Sequence, residues 1–116
     1  MSKIKKFQAR RSFIFAPGLQ PEMFPKALKA GADIVCIDLE DAIALQHKDT
    51  SRDRTLALFA EEQADDGVER MVRINCTRTP EGMADLQAIV AGPHRPPAIM
   101  LPKVKSPNEI RALDEL

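Results

Sequence analysis

Apolar and polar positions along the chain switch repeatedly between a period of two and a period near 3.6. Residues 12–16 (SFIFA) form a short apolar run stopped by Pro17 and Gly18, the pattern of a buried strand entering a turn. A helix is predicted next, because Pro21 suits a first helical turn and Met23, Phe24, Ala27 and Leu28 share one face before Gly31. Ile34, Val35, Cys36 and Ile37 then form a continuous apolar run, typical of a parallel strand covered on both faces, which leads directly into Asp38, Leu39, Glu40 and Asp41. Residues 49–64 read as a helix with Leu56, Phe59 and Ala60 on one face and charges opposite, closed by Gly67. A third strand is predicted at 71–75 (MVRIN), followed by Thr79 as a helix N-cap, Pro80 at the first helical position, and Met83, Leu86, Ile89 and Val90 at helical spacing up to Gly92. A fourth strand falls at 98–101, before Pro102. Ser106, Pro107, Asn108 and Glu109 then make a capping box opening a helix whose face carries Ile110 and Leu113.

The predicted order is βαβαβαβα, with strands starting near residues 12, 34, 70 and 98, about 29 residues apart. Strands alternating with helices argue for a parallel sheet with right-handed crossovers. Two architectures satisfy this: an open doubly wound sheet, or part of a (β/α)₈ barrel. Eight units at this spacing need about 230 residues, close to the usual barrel size of about 250, so four units amount to half a barrel. No internal repeat, low-complexity tract or linker divides the 116 residues, which are therefore treated as one unit behind a basic N-terminal arm at 1–10.

Composition narrows the function classes. Seventeen basic side chains balance seventeen acidic ones, so there is no clustered excess of positive charge for nucleic acid. The apolar runs are far shorter than a membrane span of about 20 residues, and Lys3, Lys5 and Lys6 are not followed by an apolar signal region, so a cytosolic protein is expected. Cys36 and Cys76 are too few and too far apart for a disulfide scaffold or a zinc site, and are read as reduced thiols.

In either architecture, ligands bind at the carboxyl ends of the parallel strands. The polar residues gather there: Pro17 and Gly18 after the first strand, Asp38, Glu40 and Asp41 after the second, Arg73 and Asn75 at the third, and Lys103 after the fourth. Such a rim suits an anionic substrate, with or without a divalent cation, since arginine binds carboxylates bidentately and carboxylates suit magnesium. Each residue also has a plainer reading. The three acids can cap the helix that follows, and Lys103 can be a solvated strand end. Arg73 is harder to dismiss: strand alternation puts it on the face of Met71 and Asn75, opposite Val72 and Ile74, where it needs an anionic partner such as Glu40 or Asp41. His47, His94 and Cys76 read as surface bystanders and Cys36 as core. Pro17-Gly18 is neither GxGxxG nor a P-loop, which leaves nothing to support dinucleotide or Walker-type binding.

Four segments, RRSFIFAPG (10–18), KALKAGADIVCIDLEDAI (26–43), VRIN (72–75) and LPKVKS (101–106), resemble in order and spacing the HpcH/HpaI aldolase and citrate lyase beta-subunit family. The resemblance implies a (β/α)₈ barrel, usually oligomeric. It implies magnesium-dependent cleavage of a 3-hydroxyacyl thioester of the citryl-CoA or malyl-CoA type to an oxo acid or aldehyde and an acyl thioester. By the same resemblance Arg73 binds the substrate carboxylate or carbonyl, and Glu40 and Asp41 form an acidic pair at the base of the site. The resemblance also implies that Arg11, Pro17 and Gly18 lie near the CoA moiety. Leu19 departs from the small polar residue usual after the Pro-Gly turn. The family's magnesium ligands, a glutamate after strand 5 and an aspartate after strand 6, fall beyond Leu116, so these 116 residues are expected to have little or no lyase activity alone. The competing expectations are a non-catalytic half-barrel that binds a small carboxylate or assembles with another chain, and an unrelated four-stranded flavodoxin-like domain.

Overall fold

Four parallel strands and four main helices alternate as the periodicity predicts. The computed structural model describes residues 8–116; Lys3, Lys5 and Lys6 of the expected basic arm lie outside the described residues. The strands are β1 (Phe13–Pro17), β2 (Ile34–Asp38), β3 (Glu69–Arg73) and β4 (Ile99–Met100), and the helices are α1 (Met23–Leu28), α2 (Lys48–Phe59), α3 (Pro80–Ala91) and α4 (Pro107–Asp114), with one 3₁₀ turn (Leu45–His47) before α2. No described helix is long and apolar enough to cross a membrane.

Strand order decides between the two architectures that periodicity leaves open. The sheet runs β1-β2-β3-β4 with every neighbouring pair parallel. Right-handed crossovers that always step in one direction put every helix on the same face, whereas a doubly wound sheet must reverse its order to cover both. The core reports the same thing: Ala16, Val35, Ile37 and Val72 pack against Phe24 of α1, Phe59 of α2, Leu86 and Ile89 of α3, and Leu113 of α4. On the opposite face Phe15 is 46% exposed and meets the Phe13 ring edge-on at 4.9 Å. A sheet with helices on one side only is the arrangement of consecutive units in a (β/α)₈ barrel, in which the other side faces the barrel interior.

Several boundaries shift for identifiable reasons. Helix α2 stops at Phe59 instead of running to residue 64, because Glu61 and Glu62 offer no apolar side to bury; the Gln63 side chain folds back to donate to the Leu58 and Glu61 carbonyls. Its buried face is also more polar than the stripe of Leu56, Phe59 and Ala60 predicted, with Ser51, Arg52 and Thr55 buried beside Phe59. Strand β3 begins at Glu69 and ends at Arg73, and β4 shrinks to two residues between Pro97 and Pro102, whose missing N–H groups limit pairing. The caps form as predicted at the last two helices. Thr79 accepts from the Gly82 amide at 3.1 Å, and the Glu109 carboxylate reaches back to the Ser106 amide at 3.0 Å.

At the start of α3 the helix is seated directly on the β3–α3 loop. A Cβ on Gly82 would lie 2.0 Å from the Cys76 carbonyl oxygen and 2.8 Å from that of Asn75, both backbone atoms that cannot swing aside. Gly82→Ala is expected to lower the unfolding free energy by about 3 kcal/mol through this overpacking. Chemical denaturation checks it, and an unchanged midpoint would show that the loop yields without cost.

Candidate functional site

Asp38 organises the carboxyl end of the sheet. As the last residue of β2 it is 1% exposed, and its two carboxylate oxygens accept the Glu40 amide at 2.8 Å and the Ala42 amide at 2.9 Å, which folds DLEDA into a tight turn at the strand end. Lys48 braces the same turn by donating to the Leu39 and Glu40 carbonyls at 3.0 and 2.7 Å. In register beside Asp38 stands Arg73, the last residue of β3. Its Nε and Nη2 donate to the two oxygens of Asp38 at 2.9 and 2.8 Å, a bidentate pair. The guanidinium carbon also lies 4.4 Å from the centre of the Phe15 ring, a cation–π contact from the exposed face of β1. Carboxylate on one edge and aromatic ring beneath leave Nη1 with no hydrogen-bond partner among the described residues.

The expected partner of Arg73, Glu40 or Asp41, is corrected in part: Glu40 forms a loose ion pair with it, Asp41 pairs with Lys103, and Asp38 is the hydrogen-bonded partner. Asp38 takes the direct hydrogen bonds because it shares the register, while Glu40 approaches Arg73 Nε only to 3.7 Å. Glu40, with a side chain 9% exposed, and the exposed Asp41 are bridged instead by Lys103, whose Nζ pairs with Glu40 and lies 3.4 Å from Asp41. Burial pushes the Asp38 carboxyl up, but the Arg73 hydrogen bonds and the two backbone amides outweigh it and hold the group below the usual carboxylate range. Burial, reinforced by the charge of Asp38, pushes the Cys36 thiol up to about 12, so this mid-strand cysteine is inert core.

Pro17 and Gly18 lie at the same rim. Pro17 pairs with Asp38 across β1 and β2, and the Gly18 amide donates to the Asp38 carbonyl at 3.0 Å. A Cβ at Gly18 would come within 2.7 Å of Thr55 Oγ1 and 2.8 Å of Leu39, so the turn is packed against α2. The structure therefore brings together Pro17, Gly18, Glu40, Asp41, Arg73 and Lys103. It does not bring Arg11 or Asn75 to them. Arg11 precedes β1 and binds Asp33 at the start of β2, its amide at 2.8 Å and its Nε at 3.3 Å, at the opposite end of the sheet. Arg10 makes the matching clamp to Glu69 at the start of β3.

Asn75 lies two residues beyond the end of β3, where strand alternation no longer sets its direction. Its amide and its Nδ2 both donate to Asp85 of α3, at 2.8 and 2.7 Å. Asp85 is 0% exposed and also accepts Arg52 Nε of α2 at 2.7 Å. This buried ion pair beneath the rim was not foreseen from the sequence, although a signal existed. Asp85 lies three residues after Gly82 and four before Ile89, inside the apolar stripe of α3, and Arg52 lies three residues before Thr55 and seven before Phe59, on the buried face of α2. His47 and His94 are exposed, as expected. Among the described residues no group of three or more His, Cys, Asp or Glu side chains converges to hold a metal.

Comparison with known proteins identifies relatives of this fold. A profile of the HpcH/HpaI aldolase/citrate lyase family matches residues 11–116. The citrate lyase subunit beta of Escherichia coli K12 is 31% identical over 111 residues, covering 96% of this chain and 36% of that protein. The human mitochondrial citramalyl-CoA lyase is 31% identical over 107 residues, covering 91% of this chain and 31% of that one. The solved citrate lyase beta subunit of M. tuberculosis, complexed with oxaloacetate and magnesium, superposes with a TM-score of 0.69 at 33% identity over 90% of this chain and 44% of its own. The chain thus spans about a third of the length of these curated relatives. With a family match running from Arg11 to the last residue and a fold shared with a solved member, the chain belongs to the HpcH/HpaI aldolase/citrate lyase family.

Proposed function

We propose that this chain supplies the carboxylate-binding part of a CoA-ester lyase site, which cleaves a 3-hydroxyacyl thioester of the citryl-CoA or malyl-CoA type. The reading rests on one observation: Arg73 is held by Asp38 and Phe15 at the carboxyl end of parallel strands, with Nη1 unclaimed among the described residues. A guanidinium fixed in this way binds a carboxylate with defined orientation at little cost in side-chain entropy. In the cleavage the bond between C2 and C3 breaks, the C3 hydroxyl loses its proton and becomes the carbonyl of the oxo acid or aldehyde, and the electron pair passes to the thioester as an enolate that is then protonated at C2. Arg73 would hold the carboxylate of the oxo-acid half, and the Pro17-Gly18 turn borders the same space. The oxaloacetate in the M. tuberculosis relative is a ligand of that class.

Magnesium belongs to this reading of the whole protein, but the residues described here do not form a site for it. Asp38 is paired with Arg73, Glu40 and Asp41 with Lys103, and no third acid converges on any of them. No step is therefore assigned to a metal held by these residues, and the 116 residues alone are expected to bind a carboxylate without cleaving a thioester. A second reading, a half-barrel that binds a carboxylate or assembles with another chain, is favoured by the exposed Phe15 ring beside Phe13 on the sheet face that no helix covers. For the whole protein we propose a cytoplasmic homo-oligomer acting on a CoA thioester.

Calorimetric titration of oxaloacetate tests the first step. Binding is expected in the wild type, and Arg73→Gln is expected to weaken it at least about tenfold, the worth of one charge-assisted hydrogen bond. Equal affinity in the two proteins would remove Arg73 from the site. Turnover of malyl-CoA by the purified chain in the presence of magnesium would overturn the expected inactivity.

A further inference from the structure

A carboxylate already sits between the two cations of the rim. Glu40 presents one oxygen to Arg73 Nε at 3.7 Å and the other to Lys103 Nζ, and its side chain is nine-tenths buried between them. Lys103 reaches this position from β4 across β3, although its own side chain is 62% exposed. It does so from a backbone φ of 51°, and among the described residues it is the one non-glycine residue in the left-handed region. The strained turn is fastened from the far side. Arg78 Nη2 donates to the Lys103 carbonyl at 2.8 Å, Arg78 also pairs with Glu109, and Glu109 accepts the Lys105 and Ser106 amides at 2.6 and 3.0 Å. A non-glycine residue persists in this conformation only where its surroundings over-determine it, and such residues cluster at functional sites. The lysine amine is thus delivered to one place by a built turn.

We propose that Arg73 and Lys103 form a two-point carboxylate clamp and that Glu40 is its internal plug, displaced when the carboxylate of a 2-oxo acid takes the seat. The proposal rests on the reading of Arg73 as the carboxylate-binding residue. Three rim carboxylates, Asp38, Glu40 and Asp41, face two cations, so without a ligand the charge of both cations is already balanced, although Arg73 Nη1 donates to no group among the described residues. An incoming carboxylate must compete, and Glu40 is the competitor with the weaker hold on Arg73, since Asp38 has both direct hydrogen bonds. Exchange of one carboxylate for another keeps both cations paired.

The experiment titrates pyruvate into the 116-residue chain and follows the Arg73 Nε–H and Glu40 carboxyl resonances by NMR. Glu40→Gln keeps the side-chain shape but removes the competing charge, and is expected to tighten pyruvate binding at least about tenfold. In that background Lys103→Met is expected to weaken it again by about tenfold. In the wild type the Glu40 carboxyl resonance should move in step with binding, a readout that needs no variant to fold. Binding that shifts Arg73 while leaving Glu40 unmoved, or that weakens in Glu40→Gln, overturns the plug and leaves the Arg73 reading intact. No response at Arg73 in either protein overturns both. Binding seen only in Glu40→Gln supports a plug too tightly held for pyruvate to displace.

Discussion

Replacing Asp85 with alanine is expected to lower the unfolding free energy by about 4 kcal/mol, a large share of the roughly 5–15 kcal/mol that holds an ordinary domain together. The carboxylate is fully buried and serves three donors: Arg52 Nε, the Asn75 amide and Asn75 Nδ2. Its removal leaves the Arg52 guanidinium, whose Nη2 is already buried without a partner, paired only with Asp49 at the surface. It also orphans a buried backbone amide just beyond β3. Thermal unfolding followed by circular dichroism should show a melting temperature lower by roughly 15 °C. The double variant Arg52→Met with Asp85→Leu separates pairing from packing. Removing both charges together should recover much of the loss, because the cost lies in stranding one partner and not in lacking the pair. A single variant within 1 kcal/mol of wild type, on the scale of an ordinary surface change, would show that water reaches Arg52 and that the network is dispensable.

Asp38→Asn is the second large effect, expected at about 3 kcal/mol near neutral pH. It sits at the low end of the range for a broken buried pair because the Arg73 side chain keeps 19% exposure and can be rehydrated. Each Asp38 oxygen accepts one Arg73 N–H and one backbone amide of the turn, so the change turns an NH2 toward one donor of each kind. Its pH dependence gives a sharper check. Because the folded-state pKa of Asp38 is depressed, its contribution is present in full above the unfolded value of about 3.9 and is lost as the pH falls from there through the folded value. The stability gap between wild type and Asp38→Asn should therefore hold constant above pH 5 and close in acid. A gap that persists unchanged at pH 2 would mean that the charge of Asp38 contributes nothing and that the loss comes from the N–H turned toward donors.

Much of the candidate site was legible because the carboxyl ends of parallel strands are readable one strand at a time. Pro17-Gly18, Glu40-Asp41 and Lys103 each follow a predicted strand and Arg73 lies within the third, and the rim gathers them without further instruction. Pairing within the rim was not legible. Arg73 was matched to the acids of the turn, yet Asp38 takes it, because register sets these two residues side by side and no local pattern encodes register between strands 35 residues apart. Asn75 was carried two residues too far by strand alternation, and its direction was decided by Asp85 on a helix ten residues away. Arg11 precedes its strand, and a strand's amino end lies a full strand length from the rim.

The sequence by itself determined the order of elements, the caps at Thr79 and Ser106, and the apolar stripes that turn α1 and α3 toward the sheet. These depend on neighbours within one or two turns, where spacing and side-chain chemistry suffice. Only the tertiary structure decided that the strands run in the order β1-β2-β3-β4 with all helices on one face, that Arg52 and Asp85 meet in the interior, and that Glu40 lies between Arg73 and Lys103. Each of these joins residues more than 20 positions apart, and the energy that selects them comes from burial, register and desolvated charge, which act only once the chain is folded.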